Sequence, residues 1–118
     1  MSSLLKKKCK PCEEGGPPLT LTEAKKLLKE IPEWKLSTDG RGISRKFDFR
    51  DFIDAIVFVN DVAQLAEEEG HHPNIFIHDY NKVQIELTTN AINGLSENDF
   101  ILAAKINALD NDHEAHDK

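Results

Sequence analysis

Two adjacent histidines in the stretch AEEEGHHPN, residues 66–74, are the clearest candidates for chemistry in this chain. Glu67 lies four residues before His71, so a continuing helix would place both on one face, with the carboxylate close enough to orient the imidazole. His72 precedes Pro73, which disfavours helical backbone angles and turns the His72 side chain in another direction. Because imidazole exchanges protons near neutral pH, two splayed histidines suit general acid/base catalysis.

Two simpler interpretations of the pair stay open at this point. His71 and His72 are also compatible with a helix that ends on two half-exposed rings without chemistry. A metal site would need further ligands, and the sequence has no His-x-x-x-His and no further Asp, Glu or Cys at ligand spacing, so we expect no metal. Cys9 and Cys12 form an isolated Cys-x-x-Cys without a second pair, and we interpret them as reduced thiols.

Composition favours one globular domain that binds neither nucleic acid nor membrane. A chain of 118 residues with 39% hydrophobic residues is long enough for one core and too short for two. The formal net charge of -6 argues against contact with nucleic acid, because that affinity needs clustered Lys and Arg. No apolar run approaches the roughly 20 residues of a membrane helix, and no secretory signal is recognisable, so we expect a cytoplasmic protein.

The elements that must position the histidines alternate between helices and hairpins. Residues 1–18 end in Gly-Gly-Pro-Pro and are predicted to form a flexible leader, residues 19–110 a single domain, and residues 111–118 a polar tail. In chain order, the domain is predicted to contain a helix with the Thr20–Glu23 capping box that stops at Pro32, a hairpin around Asp39-Gly40, a long helix ending near Gly70, a second hairpin after Pro73, and a helix capped by Ser96.

This order predicts an α+β fold, in which three helices pack on one face of a four-stranded antiparallel sheet in the order α-β-β-α-β-β-α. A sheet of this kind leaves an edge or its outer face available. We therefore expect the chain to form a homo-oligomer through its strands.

Two longer stretches, EEEGHHPN and YNKVQIELTTNAINGLSENDFILAAKI, resemble the signature half of the pterin-4a-carbinolamine dehydratases. The order of elements agrees with that family from Leu19 to Leu109. The resemblance implies loss of water from 4a-hydroxytetrahydrobiopterin, or a related 4a-hydroxytetrahydropterin, to give the quinonoid dihydropterin in tetrahydrobiopterin recycling. It implies a lyase that needs no metal or redox cofactor.

The resemblance also implies roles for individual residues. His72 is expected to be the principal acid/base, His71 to bind and polarise the 4a-hydroxyl group, and Glu67 to orient His71. The residues expected to bind the pterin substrate are Gly70, Pro73, Thr88, Thr89, Ala91 and Asp99. Asp99 has a second interpretation, because an acidic residue in the first turn stabilises a helix by about 0.3–1 kcal/mol on dipole grounds alone.

Asn90 departs from the family pattern, which has a third histidine after Thr89. An amide forms hydrogen bonds but does not carry protons in this pH range. We expect a slower enzyme, a different division of the catalytic roles among the site residues, or a pterin-binding homologue without activity. His78 is a candidate to fill the vacancy in space, although a histidine at a hairpin tip is more often simply solvated.

The expected partners follow from the same resemblance. We expect a homodimer or homotetramer that binds a pterin. The alternative function is a protein-interaction or transcriptional coactivator module, because some animal members also bind a homeodomain transcription factor. By that analogy, the nucleus is a second location beside the cytoplasm.

Overall fold

Three helices and a four-stranded antiparallel sheet form the fold in the computed structural model, which describes residues 3–7, 9 and 17–116. The helices are α1 (Leu21–Leu28), α2 (Phe52–Glu69) and α3 (Glu97–His116), and the strands are β1 (Lys35–Leu36), β2 (Ile43–Asp48), β3 (Asn74–His78) and β4 (Lys82–Leu87). The sheet has the spatial order β1-β2-β4-β3, so β1 and β3 are its edges. The predicted fold class and element order are confirmed.

Local sequence signals explain where α1 and the first hairpin lie. The hydroxyl of Thr20 accepts from the backbone N–H of Glu23, and the Glu23 carboxylate accepts from the N–H of Thr20, which is the predicted capping box. Gly40 has a φ of +72°, a left-handed conformation that glycine adopts without a steric penalty in the turn between β1 and β2. Both predicted signals therefore act as expected.

The register of the sheet determines which residues lie together at the end of the sheet where β3 begins, next to the histidines. Alternate residues of β4 (Val83, Ile85 and Leu87) are buried in the core, and a shift by one residue would turn all three to the opposite face. In this register Asn74 at the start of β3 pairs with Glu86 near the end of β4. Residues 71–73 and residues 88–90 consequently flank the same end of the sheet.

The start of the chain corrects the prediction of a flexible leader. Ser3–Lys6 form one 3₁₀ turn, and Leu4 is only 1% exposed because it packs into the core beside α3. A single buried leucine among lysines produces no periodic pattern, so sequence spacing did not reveal it. The remainder of the predicted leader, including Cys12, falls largely outside the described residues.

The end of the chain also differs from the prediction. Helix α3 continues to His116, so residues 111–116 of the predicted polar tail are helical. Asp110 is 5% exposed, and its Oδ2 lies 3.2 Å from Nη2 of Arg45 on β2. This ion pair allows a charged residue at the start of the polar stretch to pack against the sheet.

Leu4→Ala is expected to lower the free energy of unfolding by about 2–5 kcal/mol, the usual cost of truncating a buried leucine. The matched control is Leu21→Ala, because Leu21 is 54% exposed, and it is expected to change stability by no more than about 0.5 kcal/mol. Urea denaturation measures both. Equal, near-zero effects for the two variants would contradict the packed position of Leu4.

Candidate functional site

The end of α2 determines the directions of the two histidines. Gly70 follows the last helical residue with a φ of +68° and a ψ of 26°, a left-handed helix cap. The backbone N–H groups of Gly70 and His71 both donate to the carbonyl of Ala66. Because the helix does not continue past Glu69, His71 leaves the face that carries Glu67.

His71 is buried against α3. Its side chain is 5% exposed, and its Nε2 lies 2.6 Å from Oδ1 of Asp99, whose side chain is completely buried. An ionised carboxylate only accepts hydrogen bonds, so we assign the proton to His71 Nε2. The prediction that Glu67 orients His71 is corrected: Asp99, 28 residues further along the chain, is the carboxylate that orients this ring.

The second oxygen of Asp99 is also held. Oδ2 accepts from the Thr89 hydroxyl at 2.8 Å and from the backbone N–H of Ser96 at 3.0 Å. Since the Thr89 hydroxyl donates to Asp99, the Ser96 hydroxyl at 2.8 Å must be the donor to Thr89. Asp99 also lies in the first turn of α3, where the helix dipole favours negative charge. The structural interpretation of Asp99 therefore fits its position, and its contact with a substrate stays a prediction.

His72 occupies a different environment from His71. Its side chain is 61% exposed, and its Nε2 contacts Oε2 of Glu67, which reaches it from the last turn of α2. The predicted splaying of the two rings is confirmed. One imidazole is fixed inside the protein, and the other is accessible to a solute.

The segment after β4 completes this end of the molecule. Thr88 donates through its hydroxyl to the carbonyl of Arg41 at 2.6 Å, and Thr89 pairs its backbone N–H with Gly94. Asn90 is exposed and begins a short 3₁₀ turn, Asn90–Ile92, in which Ala91 is also exposed. Hydrogen bonds thus join Thr89 to the histidine site, whereas Asn90, the next residue, is exposed.

An open cavity of about 260 Å³ lies at the end of the sheet where β3 begins and β4 ends. Its walls come from the turn between β1 and β2 and from the ends of β3 and β4: Ser37, Asp39, Arg41, Gly42, Ile43, Ser44, Asn74, Glu86, Leu87 and Thr88. Neither histidine belongs to this lining. Two lining residues are close to the site along the chain, since Asn74 follows His72 by two residues and Thr88 directly precedes Thr89.

His78 does not fill the position of the family's third histidine. It ends β3, the strand that begins just after Pro73, and at about 3.3 Å per residue it lies roughly 20 Å along the chain from His72. Its Nδ1 is 2.9 Å from Oδ2 of the neighbouring Asp79, and the ring is exposed. The solvated interpretation of this hairpin histidine fits the structure.

A buried ion pair connects α2 and α3 close to the histidines. Lys105 Nζ lies 2.8 Å from Oε2 of Glu69, and Oε1 of Glu69 accepts from the backbone N–H of Cys9 at 3.0 Å. Burial is the largest single influence and would raise the pKa of Glu69, but the hydrogen bonds from Lys105 and Cys9 and the charge of Lys105 together hold its pKa below the ordinary value of 4.5. Glu69 is therefore ionised at neutral pH.

Neither a metal site nor a membrane-spanning helix is found in the described part of the chain. Within residues 3–7, 9 and 17–116, no three His, Cys, Asp or Glu side chains are grouped so as to hold a metal ion. None of the helices described there has the length and apolar character needed to span a membrane.

The sequence profile described as "Pterin 4 alpha carbinolamine dehydratase" matches residues 17–109. The chain belongs to this family. Among its relatives, the "Putative pterin-4-alpha-carbinolamine dehydratase" of Halorhodospira halophila is 50% identical over 107 residues, which cover 91% of this chain and 97% of the relative. The protein of the same name from Methylococcus capsulatus is 47% identical, over 91% of this chain and 93% of the relative.

Solved structures of the dehydratase family have a similar fold. A transcriptional coactivator/pterin dehydratase from Brucella melitensis superposes with a TM-score of 0.73 at 36% identity, over 78% of this chain and 97% of the other. A pterin dehydratase-like protein identified as a RuBisCO assembly factor in the α-carboxysome gives a TM-score of 0.56 at 27% identity, over 65% and 88% of the two chains. The dehydratase fold is thus found in proteins described by different functions.

Sequence reasoning missed the contacts that fix His71 in this dehydratase family member. It named Asp99 and Thr89 as pocket residues but did not pair either with His71, and it treated Ser96 only as a helix cap. The one local signal was Gly70, because a glycine at the end of an amphipathic helix commonly takes the left-handed cap conformation. That signal separates Glu67 from His71 but does not identify the new partner.

The Glu69 ion pair predicts a specific loss of stability in acid. A carboxylate with a lowered pKa in the folded state stabilises the fold fully above its ordinary value of 4.5, and this contribution is lost as the pH falls through the lower, folded-state pKa. Glu69→Gln is therefore expected to have a free energy of unfolding that falls less steeply below pH 4.5 than that of the wild type. Urea titrations at several pH values measure both slopes, and identical slopes would contradict the assignment.

Proposed function

We propose that this chain dehydrates 4a-hydroxytetrahydrobiopterin, or a related 4a-hydroxytetrahydropterin, to the quinonoid dihydropterin and water. Family membership supports the substrate class and the reaction type. The observation that carries the proposal for this particular chain is the asymmetric histidine pair, with His71 fixed by a buried carboxylate and His72 exposed beside Glu67. The reaction would support recycling of the pterin cofactor.

The reaction needs one proton removed and one proton supplied. Loss of the N5 proton creates the C4a=N5 double bond, and the 4a-hydroxyl group leaves as water once it is protonated. His72 is the proposed acid/base because its exposed ring can reach a bound substrate and exchange protons near neutral pH. Glu67 contacts His72 Nε2 and would orient this ring. The sequence-based prediction had assigned Glu67 to orient His71 instead.

His71 is proposed to bind and polarise the departing hydroxyl group. Its hydrogen bond to Asp99 fixes both the tautomer and the orientation of the ring, which limits the reorganisation needed during the reaction. Thr89 and Ser96 support this arrangement indirectly, since their groups hold Asp99. The fixed histidine would act as the binding group and the exposed histidine as the proton carrier.

The pterin is proposed to lie between His72 and the segment Thr88–Ala91. Gly70 and Pro73 would line the opposite side through the backbone that joins α2 to β3. Asn90 occupies the place of the family's third histidine and can offer its amide to the substrate, but it cannot take over a proton-transfer step. This chain is therefore proposed to be a slower dehydratase than family members that have the third histidine. The proposed reaction requires no metal or cofactor.

A second candidate function is a protein-binding module. The family relatives of known structure include a protein described as a transcriptional coactivator and another identified as an assembly factor. Exposed apolar side chains on α2, namely Phe52, Ile53 and Val57, would be available for such contacts. We propose a homodimer or homotetramer in the cytoplasm, with a transcription-factor partner and a nuclear location as the alternative by family analogy.

A dehydration assay with 4a-hydroxytetrahydropterin tests the roles of the site residues. His72→Ala is expected to lower kcat by about 10²- to 10⁴-fold, the usual contribution of a general acid/base group. Asn90→His is expected to raise kcat, because it restores a proton carrier at the edge of the site. Stopped-flow absorbance of the quinonoid product measures both rates.

His78→Ala is the matched control, since it removes an exposed histidine at the far end of β3 and should leave the rate unchanged. A wild-type rate no higher than the uncatalysed background would exclude the enzyme and favour the protein-binding module. Full activity of His72→Ala would show that another group moves the proton.

A further inference from the structure

The N-terminal segment packs directly behind the histidine site, although it precedes the residues that match the family profile. That profile begins at residue 17, whereas Leu4 is buried in the core and contacts are seen from Lys7 and Cys9 to the helices that carry the site. The segment is not needed for any step of the proposed chemistry. Its contacts therefore call for a separate explanation.

One group of contacts reaches the first turn of α3. Lys7 Nζ lies 2.6 Å from Oε2 of Glu97, the first residue of the helix. The thiol of Cys9 donates to the carbonyl of Asn98 at 3.6 Å. Asp99 is the next residue, so the segment contacts both positions that precede the carboxylate on His71.

A second group of contacts reaches the end of α2. The backbone N–H of Cys9 donates to Oε1 of Glu69, and Lys105 on α3 donates to Oε2 of the same carboxylate. The side chains of Glu69 and Lys105 are only 5% and 16% exposed. Glu69 is the last residue before the Gly70 cap, and His71 follows directly, so any shift of Glu69 relative to α3 also shifts His71 relative to Asp99.

We propose that Lys7, Cys9, Glu69 and Lys105 form a brace that positions the histidines for the proposed dehydration, by holding the end of α2 against the first turns of α3. The brace touches neither substrate nor reacting atoms. It maintains the separation of 2.6 Å between His71 Nε2 and Asp99 Oδ1. Through the short connection at Gly70 it also sets the direction of His72. Only the kinetic test of this brace rests on the proposed function.

Removing the buried ion pair is the direct test of the brace. In the full chain, Lys105→Met keeps the aliphatic length of the side chain and removes its charge. Loss of a residue that orients a metal ligand typically costs about 10- to 100-fold in activity, and we expect kcat to fall by a similar factor here. KM is expected to change less than kcat, because the substrate-contacting groups remain. Lys105→Arg restores a cation and is expected to recover most of the lost rate.

A matched control separates positioning from general stability. Arg45→Met removes the buried ion pair with Asp110 and the hydrogen bond to Asn107, which join β2 to the part of α3 that follows Lys105. This variant is expected to lose stability in urea while retaining the wild-type kcat. Glu69→Gln, which keeps the shape of the side chain, serves as the second brace variant if Lys105→Met does not fold.

Two further readouts do not depend on activity. The imidazole N–H proton of His71 that is hydrogen-bonded to Asp99 is expected to give a downfield NMR signal that broadens or moves in Lys105→Met and stays in place in Arg45→Met. Burial, followed by the charge of Glu69, raises the pKa of the Cys9 thiol from 9.0 to about 12, so alkylation should be slow while the segment is docked. In a Cys12→Ser background, Lys105→Met should accelerate alkylation of Cys9 several-fold.

The outcomes distinguish failure of the brace from failure of the proposed function. If Lys105→Met and Arg45→Met lose similar stability and neither changes kcat or the His71 signal, the ion pair is only structural and the brace is refuted. If the wild type shows no dehydration, the proposed function fails. In that case, a His71 signal that changes in Lys105→Met alone would still support the brace, and an unchanged signal would refute it.

Discussion

The hydrogen bond between His71 and the buried carboxylate of Asp99 is the constraint around which the functional end of this protein is organised. An ionised carboxylate removed from water is unfavourable by several kcal/mol unless its oxygens accept hydrogen bonds. Three donors meet this need: His71 Nε2, the Thr89 hydroxyl and the Ser96 backbone N–H. They come from the end of α2, the segment after β4 and the start of α3. Three distant parts of the chain must therefore be in place before Asp99 can be buried.

This arrangement gives the two neighbouring histidines different properties. The left-handed conformation of Gly70 and the proline after His72 direct the two rings apart. One ring is then held rigidly by Asp99, and the other stays exposed next to Glu67. A fixed binding group beside an accessible proton carrier would suit the proposed dehydration, in which one proton is removed and one is supplied.

Local features of this chain were predictable from sequence, and long-range contacts were not. The Thr20–Glu23 capping box, the Gly40 turn and the alternation of Val83, Ile85 and Leu87 each act within a few residues, and the structure has all of them. The partner of His71 was predicted wrongly because helical spacing favours Glu67, whereas Asp99 approaches only after the whole domain has folded. The packing of Leu4 was missed for a related reason, since one leucine has no periodicity to recognise.

The central claim is that Asp99 makes His71 a working group by fixing its ring. The most direct measurement is the kcat of Asp99→Asn for 4a-hydroxytetrahydropterin, with circular dichroism of the same sample to establish that it is folded. Asparagine preserves the shape of the side chain but not the negative charge that holds the imidazole proton. A folded variant whose kcat is lower by about tenfold or more is the predicted result. A folded variant with the wild-type kcat would contradict the account.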